Sequence, residues 1–127
     1  MQKREINAKL APQPASAYCQ AVEVTGSVRI LYISGQLGMD TDGTTPSTMA
    51  GQARLAWRNV AAQLSEAGMG FDNLVKVTMI IPDAAEIPAS RPARAEALGD
   101  LRPASTLIVA GLANPAWKVE IEAIACA

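Results

Sequence analysis

Hydrophobic and polar residues alternate along several stretches of this chain, and those stretches predict its sheet. At 118–125 the run KVEIEAIA sends Val119, Ile121, Ala123 and Ala125 to one side and Lys118, Glu120 and Glu122 to the other, the period of two of a half-buried strand. At 73–81, NLVKVTMII places Val75, Val77, Met79 and Ile81 on one face and stops at Pro82-Asp83. A third strand is expected at 105–110, where β-branched and aliphatic residues dominate; Asn114-Pro115 marks the turn that follows it. Upstream, AVEVT at 21–25 alternates, Gly26-Ser27 reads as a turn, and RILYIS at 29–34 resumes, so the two runs are expected to form a hairpin. A short edge strand at 4–7 precedes an extended loop containing Pro12 and Pro14.

Between these runs the apolar period lengthens to three and four. Met49, Ala53, Ala56, Val60 and Leu64 share one face of a helix that Ser47 or Thr48 caps and that ends near Ala67, with Gly68 after it. Trp57 and Arg58 fall off that face and must meet a second element or solvent. A second helix is predicted at 88–98, with Pro92 tolerated in its first turn and Gly99 at its end; Arg91 and Arg94, three apart, share a face. The element order describes an α+β domain spanning 1–127: one mixed sheet with two helices packed on one face. The other face of the sheet needs a cover, and self-association is the simplest one.

Composition sharpens this picture. Hydrophobic residues make up 50% of the 127 residues and charged residues 18%, which favours an oligomer. The net charge is −1 and no basic run could neutralise several phosphates, so nucleic acid is not an expected partner. No stretch approaches a membrane span and the first residues lack an apolar signal core, so a soluble cytoplasmic protein is the default expectation. Cys19 and Cys126 are too far apart for a CxxC unit, and nothing marks them as a disulfide pair. DTDGTT at 40–45 invites a calcium reading, but the later oxygen ligands and the terminal glutamate are missing, leaving a turn. There is no histidine, so acid–base chemistry falls to carboxylates, arginine, tyrosine, cysteine, hydroxyls or backbone.

The candidate chemistry gathers at strand ends. Glu120 and Glu122 stand about 7 Å apart on one strand face. They are either a solvated face or, at a subunit boundary, a carboxylate that activates water. Arg102, before Pro103, is either a loop arginine or a bidentate clamp for a substrate carboxylate. Ser105 and Thr106 lack a base to make them nucleophiles. Gly35, at the end of a buried strand in Ser34-Gly35-Gln36, lets backbone approach a ligand or a second chain.

These residues carry a resemblance. YCQAV at 18–22, LYISGQLGMD at 31–40, Gly51-Gln52, AGMGFDNLVKVTMII at 67–81, PAST at 103–106 and VEIEAIA at 119–125 resemble, in order and over nearly the whole chain, the RidA (YjgF) family. The resemblance implies a chorismate-mutase-like fold assembled as a homotrimer, with three clefts between subunits. In active members these clefts hydrolyse enamines and imines, such as 2-aminoacrylate released by pyridoxal-phosphate enzymes, to 2-oxo acids and ammonia. They use no metal or organic cofactor. A glutamate of the VEIE strand, here Glu120, positions or activates water, and an arginine in the PARS motif holds the substrate carboxylate.

The sequence departs from that pattern at the clamp, where PAST puts Ser105 in place of arginine. It resembles the branch of the family that lacks this arginine. Cys19 replaces a family serine, and Arg91 and Arg94 stand where typical members have an asparagine and an aromatic residue. Carried over are Tyr18, Gly35, Thr106 and Glu120, with Ser105 at the clamp position; Arg91, Arg94 or Arg102 is expected to resupply the charge. The alternative implied function is a trimer that binds a small metabolite without turning it over. The family's other label, endoribonuclease, is disfavoured by the charge balance and the lack of histidine.

Overall fold

The computed structural model describes residues 1–26 and 29–127. In chain order these form β1 (Gln2–Ile6), β2 (Ala21–Thr25), β3 (Ile30–Leu37), α1 (Met49–Glu66), β4 (Leu74–Ile80), α2 (Ile87–Leu98), β5 (Ala104–Ile108) and β6 (Glu120–Cys126). The last strand lies inside the main sheet, whose order is β3-β6-β4-β5. β6 pairs antiparallel with β3 and β4, while β4 and β5 run parallel with α2 as their crossover. The expected mixed sheet is therefore present. Its inner face buries Val77, Met79, Ile121, Ala123 and Ala125 in one core with Ala53, Val60 and Leu64 of α1 and Ala93 and Leu98 of α2.

The predicted β2–β3 hairpin is not formed. β2 pairs with β1, from Gln2↔Thr25 to Ile6↔Ala21, in a separate two-stranded ribbon, and β3 takes β6 as its partner. Ser27 of the expected turn lies outside the described residues. Burial explains the choice. No residue of β2 is buried, whereas β6 buries every second residue from Ile121 to Ala125 and needs neighbours carrying the same apolar face. Arg29 and Ala127, exchanging two backbone hydrogen bonds at 2.9 and 3.0 Å, extend that pairing past the strand ends.

Local chemistry sets the helix ends. Thr48 Oγ1 accepts from Gly51 N at 3.1 Å, making Thr48 the cap of α1, and Gly68 takes a φ of +69° just beyond it. Trp57, off the apolar stripe of α1, is buried and meets Phe71 edge-on, ring centroids 6.0 Å apart. Arg58 instead turns to solvent and pairs with Asp40 at 3.0 Å. In β4 the register shifts between Leu74 and Lys76; Leu74 is thereby buried with Val77, and Val75 is left half-buried. No helix among the described residues is long and apolar enough to cross a membrane.

One buried polar side chain joins these parts. Gln52 Nε2 donates to the carbonyls of Pro46 (2.8 Å) and Ala116 (2.9 Å), and its Oε1 accepts from Lys118 N (2.8 Å). It thus ties α1 to the loop that precedes it and to the loop feeding β6. Gln52→Leu, of similar size, strands those three groups, and we expect it to lower the unfolding free energy by about 2 kcal/mol in urea titrations. A loss well under about 1 kcal/mol would mean that water replaces the amide at all three positions.

Candidate functional site

The Ser34-Gly35 segment of β3 is where the sheet departs most from regularity. Ile33 pairs with Ala123 and Gln36 with Ile121, so two residues of β3 oppose Glu122 alone. Gln36 Nε2, donating to Ser34 O at 2.9 Å, braces the bulge. Into the space it opens comes the Glu120 side chain. A methyl group at position 35 would lie 1.9 Å from Glu120 Oε1 and 2.6 Å from its Cδ, so only glycine leaves room for this carboxylate. Glu120 is half-buried, lies on the face of the sheet away from the helices, and has no hydrogen-bond or ion-pair partner among the described residues. Glu122, beside it, is exposed.

A second group of residues lies on the helix side. A cavity of about 540 Å³ opens between α2, β5 and the 16–20 segment, within the range of small-molecule sites. Tyr18, Arg91, Arg94 and Ser105 are among the polar residues that line it, and Thr106 borders it with its hydroxyl turned to the other face of the sheet. The Cys19↔Ala104 bridge sets Tyr18 alongside β5, helped by the Cys19 thiol donating to Arg102 O at 3.0 Å. Burial, reinforced by Glu5, pushes that thiol above its ordinary range, so Cys19 is a neutral strut and not a nucleophile.

Arg94 is the residue that the sequence left as one of three candidates for the missing charge. Its Nη2 donates to Ser105 Oγ at 2.9 Å and to Ala17 O at 3.3 Å, and Ser105 Oγ in turn donates to Pro103 O at 3.1 Å. The guanidinium therefore rests on the very position where the resemblance expects an arginine. Burial holds its ionisation below the ordinary arginine value, yet arginine stays cationic at neutral pH. Arg91, one turn earlier on α2, borders the same cavity and is exposed. The spacing of three in the sequence was the signal that both would face one way.

The expected site residues are thus divided. Tyr18, Arg91, Ser105 and Thr106 share the cavity; Gly35 and Glu120 meet elsewhere; Arg102 borders a different cleft, with Lys3, Glu5 and Asp100. Within one chain β4 separates β5 from β6, a gap of about 10 Å at ordinary strand spacing. Ser105 pairs with Val77 and shares its inner face, whereas Glu120 faces outward. Thr106 shares Glu120's face and accepts from Lys76 Nζ at 2.6 Å. That outer face is apolar towards its ends: Tyr32 is 74% exposed and Ile30 57%.

Comparison with known proteins places this architecture. Residues 8–127 match the family described as endoribonuclease L-PSP. A 2-iminobutanoate/2-iminopropanoate deaminase from Dermatophagoides farinae is 37% identical over 125 residues, covering 96% of this chain and 94% of the relative. The Schizosaccharomyces pombe protein mmf2, named as mitochondrial, is 35% identical, covering 85% of this chain and 86% of its own. Among solved structures, YyfB of the Rid family from Yersinia pestis, itself of unknown function, superposes with a TM-score of 0.84 at 27% identity over all of both chains.

Proposed function

Because the chain belongs to the endoribonuclease L-PSP family, the group of the RidA and YjgF proteins, we propose that it hydrolyses small 2-imino acids and their enamine tautomers to 2-oxo acids and ammonia, in clefts between the subunits of a homotrimer. The observation that carries this reading is the Glu120 carboxylate, half-buried and without a partner in the niche over Gly35. A carboxylate so placed takes a proton from water as the water oxygen attacks the imine carbon. The proton then passes to the imine nitrogen, the tetrahedral carbinolamine loses ammonia, and a 2-oxo acid remains. Water supplies the oxygen, so no redox partner is needed.

The trimer is supported by the exposed Ile30, Tyr32 and Ile108 on the uncovered sheet face and by the division of the site. Glu120 and the Arg94–Ser105 pair lie too far apart within one chain to hold the same small molecule. In the proposed assembly the Glu120 niche of one subunit faces the cavity of the next. The test is turnover of imines generated in situ from amino acids by an amino-acid oxidase, read as faster formation of 2-oxo acid than the spontaneous rate. Ser105 at the clamp position favours a second reading, a trimer that binds the metabolite without turning it over; binding with no rate above background would establish it.

The niche supplies its own control. Gly35→Ala puts a methyl group where the Glu120 carboxylate sits, and because the obstructing atoms are the end of a side chain, the carboxylate moves and the fold does not. A displacement of about 1 Å is expected to lower kcat on the order of 10²-fold, with the melting temperature nearly unchanged. Wild-type kcat in this variant would remove Glu120 from the reaction.

A further inference from the structure

The cavity beside α2 carries a half-buried positive charge without a counter-ion. Neither Arg94 nor Arg91 has an ion-pair partner among the described residues, and no carboxylate borders the cavity. Arg94 is fixed by two neutral acceptors, Ser105 Oγ and Ala17 O, through one nitrogen, Nη2. The rest of its planar fork is left for an anion. Burial already disfavours the bare cation, so a bound anion would relieve a strain that the protein itself does not relieve.

The cavity also has apolar walls. Ile87, Leu98 and Leu101 line them together with Met79 and Leu107, and Leu107 is 47% exposed in the single chain. A 2-imino acid with a two-carbon side chain has only seven heavy atoms and fills on the order of 200 Å³ at a water-like ~30 Å³ per heavy atom. A space of about 540 Å³ holds a good deal more.

We propose that this cavity binds the carboxylate and a large apolar side chain of a 2-oxo or 2-imino acid, with the guanidinium delivered by Arg94 from α2 in place of an arginine at position 105. Its description of the ligand as an imino acid rests on the deaminase reading above, while the binding geometry stands on the cavity alone. Arg94 is the carboxylate-binding residue, and Arg91 adds a solvent-screened attraction at the rim. The apolar walls set specificity towards side chains larger than ethyl.

Calorimetric titration of the stable product-like acids tests this without turnover. The wild type should bind 4-methyl-2-oxopentanoate about tenfold more tightly than 2-oxobutanoate, as expected for two further buried carbons. The uncharged amide of the larger acid should bind at least tenfold more weakly. Arg94→Met should weaken the acid by roughly 10- to 100-fold and leave the amide unchanged. Adding Ser105→Arg to Arg94→Met should return most of the affinity. Arg91→Met should cost about threefold or less. Circular dichroism checks folding; should Arg94→Met fail it, Arg94→Gln keeps a polar amide on a shorter side chain without the charge and is expected to show the same loss.

Unchanged affinity in the folded Arg94 variant, a loss confined to Arg91→Met, or equal binding of the two acids overturns the proposal. The two readings separate cleanly. Binding that follows Arg94 without imine hydrolysis defeats the deaminase assignment alone. Hydrolysis by wild type that is indifferent to Arg94 defeats this inference alone.

Discussion

Glu120→Ala is expected to reduce the turnover of 2-imino acids by about 10²- to 10⁴-fold, the range for loss of a positioned general base, while the protein stays folded. The stability half of the expectation follows from the strand. Glu120 points away from the core, whose β6 members are Ile121, Ala123 and Ala125 on the other face. No hydrogen bond or ion pair of the side chain is lost among the described residues. Truncation should therefore shift stability by no more than about 0.5 kcal/mol. Glu120→Gln refines the test, because it keeps the shape that fills the space over Gly35 but cannot accept a proton. Its kcat should fall nearly as far as that of the alanine variant, with KM little changed. If Glu120→Gln turns over imines at the wild-type rate, the carboxylate is a solvated surface group and the base must be sought elsewhere.

Gly38→Ala is expected to be the most damaging single methyl group that can be added near the site. Its Cβ would stand 2.4 Å from the Gln52 carbonyl oxygen and 2.5 Å from Gln52 Cα, both backbone atoms of α1. Neither side can yield cheaply. Asn59 Nδ2 donates to the carbonyls of Leu37 (2.9 Å) and Met39 (2.8 Å), holding the chain on both sides of Gly38 against the same helix. Gln52 is itself anchored to Pro46, Ala116 and Lys118, so a shift of α1 there loosens the approach to β6. Overpacking against backbone is expected to cost about 3 kcal/mol or more. For a chain of this size that is a fall of roughly 10 °C in melting temperature, measurable by calorimetry. The contrast with Gly35→Ala is the useful part: there the added methyl meets a movable side-chain end and should affect activity, whereas here it meets a helix and should affect stability. A melting temperature within a degree or two of wild type in Gly38→Ala would show that β3 can lift off α1.

Much of the fold can be read along the chain because each element obeys a local rule. The alternation at 73–81 and 118–125 produced β4 and β6 nearly at the expected bounds, and Thr48 and Gly68 closed α1 where capping chemistry placed them. The β2–β3 hairpin failed for a non-local reason. A turn signal at Gly26-Ser27 says that the chain bends, not which strand each arm will pair with. β2, with no buried residue, had less to gain from the core than β6 did. Leu74 shows the same limit on a smaller scale, since the register shift that buries it exists only in the pairing with β6.

The site was legible as residue types and illegible as geometry. Glu120 and Gly35 could each be singled out, but 85 positions apart nothing in the pattern says that one makes space for the other; the bulge at Ser34-Gly35 does. Arg91, Arg94 and Arg102 were equivalent on composition. Packing of α2 beside β5 brings Arg94 onto Ser105, and the chain's path out of α2 carries Arg102 to another cleft.

By itself, then, the sequence determined the elements, their caps, the two-layer α+β class and the outward side of Glu120, because these depend on periodicity and on residues a few positions apart. Tertiary structure alone chose the partners of β2 and β3, opened the niche over Gly35, and placed a guanidinium from α2 at the position where a strand residue was expected to carry it. Those outcomes depend on which distant surfaces are buried against each other, and burial is a property of the assembled core that no local window contains.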